Sequence, residues 1–162
     1  MDDRAEPGLV VRTAVASDLP ALQQIYRAAS LSNAGDAAML LARPEFLVFT
    51  GEGIAAGRTL VARTDSPDAE RIVGFATVAP GRDDGPEVED LFVDPGRRRR
   101  GAARLLIERI VADAREAGHR RLWVTGNPHA LAFYRAVGFV PVDQVATELG
   151  AGLRLSLDLS RT

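Results

Sequence analysis

Residues 93–110, VDPGRRRRGAARLLIERI, run four arginines into a glycine and then into a helical pattern. The first turn of a helix carries backbone N–H groups with no partner inside the helix, and the helix dipole adds partial positive charge there. An anion, above all a phosphate, is therefore favoured at such a place. Arg98, Arg99 and Arg100 add full charges, and Gly101 removes a side chain so that a phosphate can approach the backbone. The other reading is a solvated arginine patch with a glycine near a helix start. Just upstream, EVEDLFV (87–93) alternates as a strand, which puts Glu87 and Glu89 on one face and Asp90 on the other with Val88 and Phe92. Carboxylates so placed either accept a proton, directly or through water, or are surface charges at a strand end.

What is missing narrows the chemistry. The chain of 162 residues has no cysteine, and all 20 of its basic residues are arginine. Disulfides, thiolate nucleophiles, cysteine zinc sites, lysine Schiff bases and a Walker phosphate loop are all excluded. His119 and His129 stand ten apart rather than at i, i+4, and there is no Gly-x-Ser-x-Gly elbow, so neither a histidine metal site nor a serine hydrolase is indicated. A formal net charge of −2 and the lack of aromatic residues for base stacking around the arginines argue against nucleic acid as the partner. The N-terminal MDDRAEPG has no apolar run, and no stretch approaches the roughly 18 apolar residues of a membrane span. We read the protein as cytoplasmic, with no membrane partner. Arginine- and alanine-rich, lysine-free usage is that of a GC-rich bacterial genome.

The elements that must position these residues can be read from pattern. LVVRTAV (9–15) reads as a strand, and a helix with Pro20 in its first turn and a Ser17/Asp18 cap follows to about Ala29. Residues 30–57 read as a mobile, substrate-side segment with short helical pieces around DAAMLLA and PEFLVF. TLVARTD and RIVGFATVA are strands joined by a turn containing Ser66 and Pro67. After the arginines, Ala103, Leu106, Ile107, Ile110, Val111, Ala114 and Ala117 form one apolar stripe, and Gly118 ends the helix. RRLWVT is a strand, PHALAFYRAV a short helix closed by Gly138, and FVPVDQVATEL with GLRLSLDL a final strand pair. The order predicts a mixed α/β (α+β) fold, with a flexible stretch at 1–8 and a single domain over 9–162.

LFVDPGRRRRGAARLL resembles the acyl-coenzyme-A-binding motif of the GNAT superfamily of N-acetyltransferases, Val-x-Pro followed by Arg/Gln-x-x-Gly-x-Gly/Ala, through Val93, Pro95, Arg98, Gly101 and Ala103. Arg99 departs from the glycine that many members place there. VTGNPHALAFYRAVGF resembles the family's Asn-x-x-Ala-x-x-Phe-Tyr-x-x-x-Gly-Phe segment through Asn127, Ala130, Phe133, Tyr134, Gly138 and Phe139. The order of elements matches as well, so the resemblance covers nearly the whole chain.

The resemblance implies a central, mostly antiparallel sheet of about six to seven strands, splayed between the fourth and fifth and flanked by about four helices. It implies acetyl-CoA as acyl donor and no metal. The pantetheine arm would pair with the backbone of Leu91, Phe92 and Val93, the pyrophosphate would rest on Arg98, Arg99, Arg100, Gly101, Ala102 and Ala103, and Asn127, Ala130, Phe133 and Tyr134 would complete the coenzyme site. Tyr134 takes the place of the family's general acid, its alternative being simple packing beside Phe133. Glu87 matches the position that most often carries the base, with Glu89 next on the same face. Without cysteine, direct attack by an amine in a ternary complex replaces an acetyl-thiol intermediate. Asp83, Asp84, Glu87, Glu89, Asp90 and Asp94 form an acidic stretch beside the basic one, which suits a small cationic amine as acceptor. A protein N-terminus or lysine is another acceptor class, and a catalytically silent acyl-CoA sensor or protein-binding module another function. A homodimer is left open.

Overall fold

The computed structural model describes residues 8–65, 70–81, 84–98, 101–147 and 150–160. Its elements are β1 (Leu9–Thr13), α1 (Leu19–Leu31), α2 (Ala34–Ala42), α3 (Glu52–Ala55), β2 (Thr59–Thr64), β3 (Ile72–Ala79), β4 (Glu87–Val93), α4 (Ala102–Glu116), β5 (Arg121–Gly126), α5 (Leu131–Ala136), β6 (Val140–Thr147) and β7 (Gly150–Asp158). The seven strands form one sheet in the order β1-β2-β3-β4-β5-β7-β6. Pairing is antiparallel for β1–β2, β2–β3, β5–β7 and β6–β7, and parallel for β4–β5. A parallel pair needs a crossover, and α4 is that crossover. The parallel ladder joins Glu87 to Trp123 and Val88 to Val124, the first two residues of β4. The mixed sheet agrees with expectation. Five α-helices stand among the described residues where about four were expected, because the stretch between β1 and β2 holds three. Ser66, Pro67, Asp83 and residues 1–7 lie outside the described residues.

The chain packs as two compact units, one made of residues up to Thr77 with Asp90–Leu106, the other of Val78–Glu89 with the chain from Ile107 on. In the first, Leu22 and Ile25 of α1 pack with Ala14, Phe49, Val61 and Phe75 in a buried core, joined at its margin by Tyr26 and Phe92. The segment read as substrate-side thus feeds this core through Phe49. It is tied further where the Tyr26 hydroxyl donates to the Phe46 carbonyl (2.9 Å) and the Gln23 amide to that of Phe49 (3.3 Å).

Asp18 behaves differently from the helix cap its position predicted. It lies in a 3₁₀ turn (Ala16–Asp18), and its side chain caps nothing in α1. Instead the carboxylate, 7% exposed, accepts from the Arg12 guanidinium at 2.8 and 3.0 Å and from the Val15 amide at 2.8 Å. Those bonds, the Arg12 ones foremost, hold its carboxyl below the usual carboxylate range against the opposing effect of burial. A carboxyl depressed on folding stabilises above its unfolded pKa of about 3.9, and that contribution is lost as pH falls through the folded value. Asp18→Asn should therefore cost about 1–3 kcal/mol at neutral pH, with the difference from the parent closing in acid below about pH 4, as measured by urea denaturation across pH.

In the second unit the lower turns of α4 bury Ile107, Ile110 and Ala114, and the sheet buries Leu122, Val124 and Leu155. The apolar stripe read from periodicity is displaced. Ala102 joins the buried set, whereas Ala103 and Val111 are half-buried and Ala117, beyond the last helical residue, is exposed. Both helix ends read from glycine are Schellman caps. At α4 the Gly118 amide donates to Arg115 O (2.9 Å) and the His119 amide to Ala114 O (3.0 Å).

Candidate active site

The β4–α4 turn belongs to the first unit and is built by Asp94. Its amide donates to Val73 O (2.8 Å), its carbonyl accepts from the Arg97 amide (2.8 Å), and its carboxylate takes the Gly96 amide (3.0 Å) and Arg71 (3.4 Å). Pro95–Arg97 form a 3₁₀ turn on that anchor. The chain enters α4 through Gly101 at φ +87, a left-handed conformation that favours glycine, and the Gly101 carbonyl accepts the Leu105 amide at 2.9 Å. The amides of Ala102 and Ala103 belong to the first helical turn, whose N–H groups have no carbonyl four residues back within the helix. Arg98, exposed, donates to the Ser32 hydroxyl at the end of α1, which donates in turn to Ala29 O at 2.6 Å. Arg99 and Arg100 lie outside the described residues.

Of the strand residues expected to meet the coenzyme, Leu91 and Val93 are half-buried. The half-buried Phe92 ring packs in the aromatic cluster, edge-on to Tyr26 at 4.8 Å and 5.7 Å from Phe75. Asp90 lies with Phe92 on the Tyr26 side, as alternation predicts. Burial, and after it the Asp90 charge, push the Tyr26 phenol above its ordinary value.

The second unit holds the other six candidates, Glu87, Glu89, Asn127, Ala130, Phe133 and Tyr134. Glu87 is half-buried and forms an ion pair with Arg154 (Oε1 to Nη2, 3.7 Å). The Arg154 guanidinium lies over the indole of Trp123, Cζ 4.0 Å from the ring centroid. The indole Nε1–H donates to Asp84 (3.0 Å), whose other oxygen meets Arg121 at 3.2 Å. Glu89 follows on the exposed side of the strand. The acidic stretch is therefore no bare acidic mouth: Asp84, Glu87 and Asp94 each hold an arginine from another element. Neither Arg154, Trp123 nor Ser32 was singled out by sequence reasoning. Spacing says which face a residue takes, not which distant side chain meets it there.

Tyr134 sits on α5, whose end explains the Phe-Tyr-x-x-x-Gly-Phe spacing. The Gly138 amide donates to Arg135 O (3.0 Å) and the Phe139 amide to Tyr134 O (2.9 Å), with Gly138 at φ +107. This is again a Schellman cap, and its usual apolar contact is the edge-on Tyr134–Phe139 pair at 5.5 Å. Phe133 packs on the same ring at 5.4 Å. A Cβ on Gly126 would stand 2.9 Å from Tyr134 Cε2, so that glycine lets the ring lie on the end of β5. Tyr134 is 6% exposed, and burial pushes its phenol up to about 12. Asn127 is a cap: its side chain accepts the His129 amide (2.8 Å) and its carbonyl that of Ala130 (2.9 Å). Ala130 and Phe133 are half-buried beside it.

Register decides how these groups relate. Glu87 stands opposite Trp123 and shares its face with Arg154. Gly126, three residues on, presents the other face, and Tyr134 packs there. The carboxylate and the phenol thus occupy opposite faces of the sheet. Among the described residues no cluster of His, Asp and Glu could hold a metal, and no helix is long and apolar enough to cross a membrane.

Residues 19–139 match the acetyltransferase (GNAT) family, and the chain belongs to it. It is 40% identical over 68 residues to a mycothiol acetyltransferase of Gordonia bronchialis, covering 41% of this chain and 22% of that protein. It is 38% identical over 74 residues to that of Rhodococcus jostii, covering 45% and 24%. The matched stretch thus spans less than a quarter of those relatives. Among solved structures, the PaiA N-acetyltransferase from Thermoplasma acidophilum in complex with coenzyme A shares the fold with a TM-score of 0.68 at 15% identity, over 93% of this chain and 98% of that one.

Proposed function

We propose that this chain is an acetyl-CoA-dependent N-acetyltransferase acting on a small primary amine by direct attack in a ternary complex, in the cytoplasm. The observation that carries the reading is the left-handed Gly101 opening α4 next to Arg98. A backbone with no Cβ, helix-start amides and a guanidinium fit a diphosphate. Acetyl-CoA supplies an acetyl group already activated as a thioester. Arg98 and the amides of Ala102 and Ala103 hold its diphosphate, and the backbone of Leu91, Phe92 and Val93 takes the pantetheine arm. Arg99 and Arg100 add charge, and Asn127, Ala130 and Phe133 flank the acyl end. Tyr134 donates a proton to the departing thiolate, a role suited to a phenol that burial keeps protonated. Glu87, on the opposite face of the sheet from Tyr134, reaches the amine proton through water, with Glu89 next to it on the strand. The relatives named for acetyl transfer support the chemistry. Because Asp84, Glu87 and Asp94 are ion-paired, charge does not restrict the acceptor to cations.

A screen of amines, amino acids, polyamines and peptides by thiol release tests this, and a chain without cysteine adds no background. Acetyl-CoA binding with no release from any acceptor would favour a silent acyl-CoA sensor. No binding at all by calorimetry would end the coenzyme reading. Arg98→Ala removes charge-assisted hydrogen bonds of about 1.5–3 kcal/mol, so acetyl-CoA affinity should fall roughly 10- to 150-fold by the same calorimetry.

A further inference from the structure

We propose that Arg154 is a positioning residue for the reaction: it sets where the Glu87 carboxylate stands, and is itself set by Trp123 and Asp84. The inference rests on the reading of Glu87 as proton acceptor. A glutamate on a strand has three side-chain torsions, and nothing in the strand itself selects one carboxylate position. Here the position is chosen from outside. The stack runs from Asp84, which takes the indole N–H at 3.0 Å, through the Trp123 ring to the Arg154 guanidinium at 4.0 Å, and on to Glu87 at 3.7 Å. Its lower end is fixed a second time, because Arg121 meets Asp84 at 3.2 Å and donates to the Ser156 hydroxyl at 3.2 Å. Trp123 is only 9% exposed, so its ring is a rigid seat. A planar guanidinium lying on an aromatic face loses most of its rotamer freedom, which is what a group that orients another requires. The four members come from the β3–β4 connection, β4, β5 and β7, so the arrangement exists only in the folded chain.

The test is a double-mutant cycle, run with acetyl-CoA and the amine that releases thiol fastest in the screen above. Arg154→Met keeps the length and the contact with the indole but removes the charge. It should lower kcat about 10- to 100-fold, the size of effect a misplaced group produces, with acetyl-CoA affinity unchanged. In a Glu87→Gln background the same change should add nothing, since a residue acting through Glu87 has no route once the carboxylate is gone. Arg154→Lys, which restores the cation but not the planar group stacked on the indole, should recover only part of the loss. The emission of Trp123, the chain's one tryptophan, reports whether each variant keeps the indole buried. Arg154→Met as active as the parent, or costing its full factor in the Glu87→Gln background, overturns the proposal and leaves the base intact. Glu87→Gln with parental turnover, or no thiol release from any amine, overturns the base reading and this inference with it.

Discussion

Tyr134→Phe should lower kcat by about 100-fold, the low end of the roughly 100- to 10,000-fold range for general acid catalysis, because water can partly protonate a thiolate. Acetyl-CoA affinity should stay at the parental value. Phenylalanine keeps the ring that packs edge-on to Phe139 and Phe133 and lies over Gly126, so the fold and the α5 cap have no reason to change. The phenol, pushed up to about 12 by burial, is neutral at any ordinary assay pH. A phenol raised on folding stabilises the native state fully below its unfolded pKa of about 10, and the contribution is lost as pH climbs through the folded value. The parent should therefore lose stability between about pH 10 and 12 in a way the variant does not. Steady-state rates and alkaline unfolding measure the two effects separately. Full turnover in Tyr134→Phe would make this tyrosine a packing residue, and the silent-fold alternative would gain.

Gly101→Asp should weaken acetyl-CoA by more than about 150-fold, beyond Arg98→Ala, since it replaces favourable anion contacts worth about 1.5–3 kcal/mol with a repelling charge. The fold pays less. Holding an L-residue at φ +87 costs about 1–2 kcal/mol, though aspartate tolerates the left-handed region better than most, and a negative charge at a helix start returns about 0.3–1 kcal/mol. A net loss near 1 kcal/mol lowers the Tm by about 2–4 °C for a chain of this size. Gly101→Ala separates strain from charge: lacking aspartate's tolerance and its charge, it should lose somewhat more thermal stability and keep more of the affinity. Unchanged affinity in a folded Gly101→Asp protein would mean that the diphosphate sits elsewhere.

The local features of this protein were legible in its sequence because they depend on neighbours in the chain. Helix α4 announces itself by apolar periodicity and Gly118, and Gly101 by its place ahead of that helix. Tyr134, Gly138 and Phe139 announce α5 and its cap, since a Schellman cap is written within a few residues. The alternation that puts Glu87 and Glu89 on one face and Asp90 on the other is equally local. Asp18 shows the limit even at short range, because a half-buried arginine partner outcompeted the cap its position offered.

Partnership and register were decided only by the tertiary structure. Six carboxylates in one stretch read as an acidic mouth, yet Asp84, Glu87 and Asp94 are matched by Arg121, Arg154 and Arg71 from other strands or their approaches. Arg98 is oriented by Ser32, 66 residues away. Glu87 and Tyr134 fall on opposite faces of the sheet because Trp123 and Gly126 are three residues apart on β5, and the ladder with β4 starts at Trp123. Period and composition specify the faces of an element, which is enough to form helices, strands and caps. Which faces meet depends on strand register and long-range packing, and no local spacing encodes either.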